Sequence, residues 1–450
     1  GTLSSSATFG VQAGTISAAL TGAGAVNKTS SGAATISGAI GTSGGLNVSA
    51  GTLALSSLNS YTGNTTVSGG ALNLTGAGTL GAIANALSVS AGTLDLGNTT
   101  QIQNGGLTLT GGTIQNGTLS SSATFGVQAG TISAALTGAG GLTKTTSGSV
   151  TLSGADTYTG ATTISAGTIL AGAANSFSNS SAFTVASGAT LDIGGYAQSV
   201  GSLAGAGTVT NSGGSNAVLS AGNDNTSTTF SGAIQNGAST IGLTKVGSGT
   251  LSLSGNNSYT GGTTVNAGTL AVSGSGTIGA AADALTVNGG TLDLGNTTQI
   301  QNGGLTLTGG TIQNGTLSSS ATFGVQAGTI SAALTGAGAV NKTSSGAATI
   351  SGAIGTSGGL NVSAGTLALS SLNSYTGNTT VSGGALNLTG AGTLGAIANA
   401  LSVSAGTLDL GNTTQIQNGG LTLTGGTIQN GTLSSSATFG VQAGTISAAL

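Results

Sequence analysis

Short phrases along the chain alternate between apolar and polar residues. Residues 107–110 read L-T-L-T, and residues 250–253 read T-L-S-L. A period of two sends successive side chains to opposite faces of a β-strand. The pattern therefore predicts strands whose Leu, Val, Ile and Ala side chains fill an interior, while Thr, Ser and Asn cover the outside.

Glycine and proline sharpen this prediction. Glycine accounts for 88 of 450 residues and clusters between the alternating phrases, where tight corners require positive φ. Proline is absent, which suits a chain whose amides are committed to hydrogen-bond ladders, because proline cannot donate to one. With 37% hydrophobic residues, the composition favours a folded β-protein over a disordered Gly/Ser linker.

A long internal duplication dominates the sequence. Residues 1–136 recur without a substitution as residues 315–450, an offset of 314. A catalytic domain rarely needs a second identical copy, whereas a solenoid grows by adding units. The duplication therefore indicates a tandem array that serves as a fibre or stalk.

Three rare residue types divide the array into superunits of about 100 residues. In chain order the lysines are spaced by 116, 101 and 97 residues, and the tyrosines of Y-T-G and the aspartates of T-L-D-(L/I)-G by 97, 101 and 116 residues. Their positions are Lys28, Lys144, Lys245 and Lys342; Tyr61, Tyr158, Tyr259 and Tyr375; and Asp95, Asp192, Asp293 and Asp409.

The long superunit differs from the others by an insertion of 19 residues, roughly 37–55. An insertion that leaves both flanks recognisable is most simply one whole turn of a coil, because another length would rotate later side chains out of register. Dividing each superunit into five or six parts gives coils of about 19–20 residues.

We therefore predict an all-β fold: a single continuous parallel β-helix (β-solenoid) with about 23 coils and no helical domain. At the usual strand spacing, this is a rod of about 110 Å. The whole of 1–450 is expected to be one uninterrupted solenoid. Its tandem units are 1–116, 117–314 with two superunits, 315–430 identical to 1–116, and 431–450 as the start of the next unit.

Composition excludes several functional classes. The chain has no Cys, His or Arg, and its net charge is −3 from four Lys and seven Asp. We expect no thiol chemistry, no nucleic-acid binding, which needs a basic surface, and no membrane insertion of this segment. Any signal sequence is expected outside this stretch. A nearly uncharged surface lacks self-repulsion, so lateral bundling is expected.

Four stretches resemble a known repeat. Residues 141–170 and 242–272 share the pattern G-L-T-K, S-G, Y-T-G-x-T-T and A-G-T, and 52–74 and 366–388 share its Y-T-G-x-T-T-V half. They are similar to the autotransporter-associated β-strand repeat, also called the passenger-associated transport repeat. The resemblance implies a Gram-negative secreted passenger with a right-handed parallel β-helix, displayed or released outside the cell.

Candidate chemistry is sparse. The T-L-D aspartates are five or six coils apart, or roughly 24–29 Å at the strand spacing, which is too far for the paired carboxylates of a glycosidase. The densest acidic phrase, residues 222–225 (G-N-D-N), is a calcium candidate with one charge, and a plain turn is the alternative.

Asp156 takes the place of Asn59, Asn257 and Asn373, so a turn role that does not need the charge is expected. We predict no catalytic, cofactor-binding or metal-binding residues, no cofactor and no enzymatic activity.

The lysines, tyrosines and threonines are candidates for surface roles. Each lysine is expected to be a solvated strand end, with a cationic contact as the alternative. Each Y-T-G tyrosine is expected to pack its ring at a corner with a solvated hydroxyl, with an adhesive aromatic as the alternative. Ice binding is not favoured, because Thr-Thr phrases come once per superunit and should form no dense array.

The functional prediction is a structural extracellular fibre or matrix protein, load-bearing and self-associating at the cell surface or in biofilm. The alternative is the rigid stalk of an autotransporter-type adhesin whose binding tip lies elsewhere. Expected partners are other copies of the chain, side by side or head to tail, and a cell surface or polysaccharide. The expected location is extracellular, or on the outer surface of a Gram-negative bacterium.

Overall fold

The computed structural model describes residues 1–450, and every regular element in it is a β-strand. Strands pair in parallel with strands one coil later, which makes a β-solenoid of about 22 turns. The structure contains no helix that is long and apolar enough to cross a membrane. The predicted all-β solenoid is confirmed.

Two compact units make up the chain. The first comprises Gly1–Thr226 with Ser231–Thr240, and the second comprises Ser227–Phe230 with Ile241–Leu450. Each unit contains two long parallel ladders, and shorter strands cover part of a third face.

The strands of the first unit fall into three groups. One ladder contains Phe9–Gly10, Val26–Lys28, Leu46–Val48, Thr65–Val67, Leu87–Val89, Leu107–Leu109, Phe125–Val127, Leu142–Lys144, Thr162–Ile164, Ala182–Val185 and Ser202–Gly205. The other contains Gly14–Ile16, Ala33–Ile36, Thr52–Leu55, Ala71–Leu74, Thr93–Ile102, Thr113–Ser120, Gly130–Ile132, Ser149–Leu152, Thr168–Ala171, Thr190–Asp192, Thr208–Thr210 and Ala233–Ile234. The remaining strands are Thr2–Ser4, Ala19–Gly22, Ile40–Thr42, Ala135–Thr137, Gln198–Val200 and Ala217–Ala221.

The second unit repeats this arrangement. One ladder contains Ile241–Lys245, Thr263–Val265, Leu285–Val287, Leu305–Leu307, Phe323–Val325, Val340–Lys342, Leu360–Val362, Thr379–Val381, Leu401–Val403, Leu421–Leu423 and Phe439–Val441. The other contains Thr228–Phe230, Thr250–Leu253, Thr269–Val272, Thr291–Ile300, Thr311–Ser318, Gly328–Ile330, Ala347–Ile350, Thr366–Leu369, Ala385–Leu388, Thr407–Ile416, Thr427–Ser434 and Thr445–Ile446. The third face has Ala333–Gly336 and Ile354–Thr356.

The core follows the alternation read from the sequence. Leu251 and Leu253 are buried, while Thr250 and Ser252 between and beside them are half-exposed. Aliphatic side chains also stack from coil to coil, as where Ile114 pairs with Ile132. A continuous apolar column of this kind lets neighbouring coils stabilise one another, since a single coil buries too little surface alone.

The inserted segment is one whole coil, as predicted. It holds the strands Ile40–Thr42, Leu46–Val48 and Thr52–Leu55, and Leu46 pairs with Thr65 at the equivalent position of the next coil. Coil length is nevertheless not fixed, because the pairing of Phe125 with Leu142 spans a shorter stretch of chain. Corner loops absorb the difference, so the strands keep their register although the coils vary.

Candidate functional site

The four lysines are buried, which corrects both surface roles expected for them. Each is at most 1% exposed and ends a strand, so that its side chain points inward beneath the following turn. Lys28 Nζ donates to the Ser30 carbonyl, to Ser30 Oγ at 3.2 Å and to the Ala50 carbonyl at 3.3 Å. Turn carbonyls thus replace the water that an exposed ammonium would bind.

The same arrangement recurs at the other lysines. Lys144 and Lys342 donate to the carbonyls of Thr146 and Ser344, each two residues later. Burial lowers the pKa of both lysines, because removal from water disfavours the charged form. These buried side chains stabilise the turns through hydrogen bonds, and neither a partner fibre nor a cell surface can contact them.

The Y-T-G tyrosines are also fully buried. The Tyr61 hydroxyl lies 2.6 Å from Thr65 Oγ1, four residues later, and the same pair recurs as Tyr158–Thr162, Tyr259–Thr263 and Tyr375–Thr379. The predicted packed ring is correct, but the solvated hydroxyl is wrong, and so is the adhesive alternative. The spacing of Y-T-G-x-T brings each hydroxyl to its partner inside the coil.

Burial dominates the electrostatics of these tyrosines. Desolvation raises the pKa of Tyr61 and Tyr375 to about 12, although the bonds from Thr65 and Thr379 oppose the rise. The pKa of Tyr158 and Tyr259 is raised as well, again chiefly by desolvation. All four therefore remain neutral hydrogen-bonding groups at physiological pH and are unsuited to proton transfer there.

The Asn position two residues before each tyrosine does more than form a turn. Asn59 Oδ1 accepts from the Ile40 amide in the preceding coil at 2.9 Å, and its Nδ2 donates to the Thr79 carbonyl in the next coil at 2.7 Å. Nδ2 also donates to Ser57 O at 3.0 Å within the turn. One amide thus joins three successive coils.

A comparison with protein-family models matches the coils that contain these buried lysines and tyrosines. The model described as Passenger-associated-transport-repeat matches six stretches, residues 26–55, 50–74, 142–171, 243–272, 340–369 and 364–388, together about a third of the chain. These stretches are passenger-associated transport repeats. No curated protein and no solved structure matches the chain.

Every matched repeat contains one of the buried residues described above. Lys28 lies in the repeat at 26–55 and Tyr61 in the repeat at 50–74, whereas Lys144 and Tyr158 share a single repeat, 142–171. The inserted coil has therefore split one lysine–tyrosine repeat into two overlapping matches. The repeats and the β-solenoid fold fit the passenger domain of an autotransporter, and this repeat family implies secretion to the Gram-negative cell surface.

In the Asp156 repeat, a carboxyl replaces the amide that joins coils elsewhere. Asp156 is 4% exposed, and its Oδ1 accepts from the Leu136 amide at 2.8 Å, but its Oδ2 is buried without a partner. Desolvation raises the pKa of Asp156 well above its ordinary value. Protonation would restore the donor that Asn59 provides in its own repeat.

A second buried carboxyl, Asp283, was missed by the sequence reasoning. It replaces Asn85 and Asn399, whose side-chain amides donate to the carbonyls of Tyr61 and Tyr375 at 2.8 Å. Asp283 Oδ2 is buried without a partner, and desolvation raises its pKa to about 6. Alignment of the superunits was the signal that could have found it.

The T-L-D-L-G aspartates hold corners. Asp95 Oδ1 accepts from the Gly97 amide at 2.9 Å, and Oδ2 accepts from Gln115 and Asn116 of the next coil at 2.9 and 2.7 Å. Desolvation alone would raise the pKa of Asp95, but the three hydrogen bonds outweigh it and lower the pKa. The ladder register shifts between Asp95 and Thr99, where the strand bends around the corner.

The calcium candidate at 222–225 is folded as a turn. Asp224 Oδ1 accepts from the amide and the hydroxyl of Thr226 at 2.9 and 2.8 Å. Asn223 Nδ2 donates to Ser199 Oγ at 2.6 Å and to the Val200 carbonyl at 3.2 Å, which holds this side chain against the preceding coil. No three carboxylates come together anywhere in the chain.

Threonines form longer ladders than the sequence reasoning expected. In the second unit Thr269, Thr291, Thr311, Thr329 and Thr349 follow one another in register on five successive coils. The Thr-Thr phrases alone did not predict this single-file ladder, because threonines from different phrases reach the same position. The neighbouring outward column holds Ala271, Asp293 and Gln313, so the ladder is a single threonine wide.

Proposed function

We propose that this chain is the shaft of an extracellular structural fibre, displayed by a Gram-negative cell and built to carry load. The observation that carries the proposal is the use of the rare polar side chains. Lys28, Tyr61 and Asn59 are all occupied in holding turns and coils together. These buried polar groups stabilise the fold and are not available to bind a ligand or a substrate.

The proposed mechanism is mechanical. Within each unit the backbone ladders join each coil to the next, so tension along the stacking direction is shared among parallel hydrogen bonds and buried side chains. Bonds from Lys28 and Lys245, and from Asn59, Asn257 and Asn373, add links between coils. We also propose that the chain is not an enzyme, because its carboxylates serve corners and coil contacts.

Cryo-electron tomography of cells that display the full-length protein tests the proposal. Deleting one 314-residue unit from its gene removes about 16 coils and should shorten the fibre by roughly 77 Å at the usual strand spacing. A fibre that shortens by this step supports a load-bearing shaft. Absence of surface filaments, or a length independent of the number of units, would refute it. A shortened rod ending in a knob would instead favour the adhesin stalk.

A further inference from the structure

Exposed apolar side chains form two equivalent clusters on the surface. In the first unit the cluster comprises Leu58, Ile83 and Ile102, with exposures of 69%, 58% and 45%. The second unit repeats it as Leu372, Ile397 and Ile416. We call each cluster an apolar corner. Together they supply half of the twelve large apolar side chains that the chain exposes.

Each apolar corner surrounds a shallow cavity. In the second unit the cavity is about 320 Å³, and all three apolar side chains line it together with uncharged Asn, Thr and Gln. The corresponding cavity in the first unit is about 260 Å³ and includes Ile83 and Ile102. No charged residue lines either cavity, so the fitting ligand is an uncharged apolar surface.

The fold does not require apolar residues at these positions. In the superunit that contains Tyr259, Asn256 stands where Leu58 stands and Ala281 where Ile83 stands. Both replacements are exposed on otherwise equivalent coils. Only Ile300, the counterpart of Ile102, remains a large apolar side chain there. Two of the three apolar side chains are thus specific to the long superunit and contribute little to its core.

The area and the repetition together identify the partner. Three partly exposed aliphatic side chains present on the order of 300 Å², well below the roughly 800 Å² per partner of a stable interface. One apolar corner alone would bind weakly. The corner returns after 314 residues, so a partner with the same repeat offers a matching apolar surface to each corner, and two such contacts would gain avidity. A second copy of this chain carries that repeat.

We propose that the apolar corners are the contacts through which two copies of this chain associate side by side. The proposal names the self-contact surface of the fibre suggested above, and to that extent it rests on the proposed function. The chain's small net charge of −3 over 450 residues offers little repulsion against such contact.

Sedimentation velocity over a range of concentrations tests the proposal with variants taken from the chain itself. Leu58→Asn with Ile83→Ala removes one corner and should weaken self-association at least about tenfold, since avidity is lost. Adding Leu372→Asn and Ile397→Ala removes the second corner and should leave monomers. Asn256→Leu with Ala281→Ile should create a third corner beside Ile300 and tighten association.

The matched control is Ile300→Ser, which removes an exposed apolar side chain outside any complete corner and should leave association unchanged. Urea midpoints should be the same for all variants, because the exchanged positions are exposed. A monomeric wild-type chain, or association that persists without both corners, would overturn the proposal. Neither result would affect the length test of the fibre, so the two proposals fail separately.

Discussion

The ammonium nitrogen of Lys28 lies 3.3 Å from the carbonyl oxygen of Ala50, which belongs to the next coil. The same nitrogen donates to the Ser30 carbonyl within its own turn. Lys245 makes the equivalent contact with Ala267 at 3.4 Å. A buried cation therefore ties a turn to the turn above it, and the partners are backbone oxygens, which any sequence would supply.

Replacing this lysine should destabilise its coils. Lys28→Met keeps most of the apolar stem but removes the donor, so buried carbonyls lose a partner at a cost of about 1–3 kcal/mol. Urea unfolding of the 450-residue chain measures the loss. Lys342→Met, at the same position of the identical repeat, should give a matching decrease, and an unchanged midpoint in both variants would contradict the fastening role.

The glycine beside the ammonium should tolerate no side chain. Gly51 has a φ of +62°, and an added Cβ would lie 2.3 Å from Gly32 O and 2.6 Å from Lys28 Nζ. Gly51→Ala should therefore combine backbone strain of about 1–2 kcal/mol with overpacking of about 1–3 kcal/mol. Gly188→Ala is the control, because Gly188 has a φ of +80° and open space around it. Equal urea midpoints for the two variants would show that the close contact is unimportant.

The sequence was sufficient where local patterning decides the structure. Alternation placed Leu251 and Leu253 inside, and the repeat spacing identified the inserted coil at 37–55. The sequence was insufficient where contacts with a neighbouring coil determine the position of a side chain. The buried Lys28 donates to the Ala50 carbonyl in the next coil, and a single sequence phrase contains no sign of that contact.

Variable coil length explains the other differences. The threonine ladder arises because Thr311 pairs with Thr291 on one side and with Thr329 on the other, and these two pairings span unequal stretches of chain. A repeat of fixed length cannot align them. The apolar corner likewise combines residues from different coils, since Leu372, Ile397 and Ile416 line one cavity although 25 and 19 residues separate them in the chain.

Removing the tyrosine hydroxyl should have a measurable cost that depends on the repeat. Tyr61→Phe leaves the buried Thr65 hydroxyl without its 2.6 Å partner, which should reduce stability by about 1–2 kcal/mol. Tyr259→Phe should cost less, because Thr263 Oγ1 also donates to the Ile278 carbonyl at 3.3 Å. Urea midpoints of the two variants test this order, and the reverse order would argue against the hydroxyl pair as the cause.

The two buried carboxyls should make the chain less stable as pH rises through the neutral range. Burial raises the pKa of Asp283 to about 6 and raises the pKa of Asp156 well above its ordinary value, so the folded chain binds these protons more tightly than the unfolded chain does. Their contribution is complete below the unfolded value of about 4 and is lost as pH rises through the folded pKa. The urea concentration at the unfolding midpoint should therefore decrease as the pH is raised from about 4 to about 7.

Asp156→Asn with Asp283→Asn should flatten this decline, because each amide provides at every pH the donor that the carboxyl provides only when protonated. At neutral pH the free energy of unfolding of the double variant should exceed that of the wild type by about 1–3 kcal/mol for each site where an amide donor replaces an unpartnered carboxyl oxygen. Asp95→Asn is the control: hydrogen bonds lower the pKa of Asp95, so its contribution is lost only as pH falls below about 4. A neutral-range slope that survives in the double variant would show that other groups cause it.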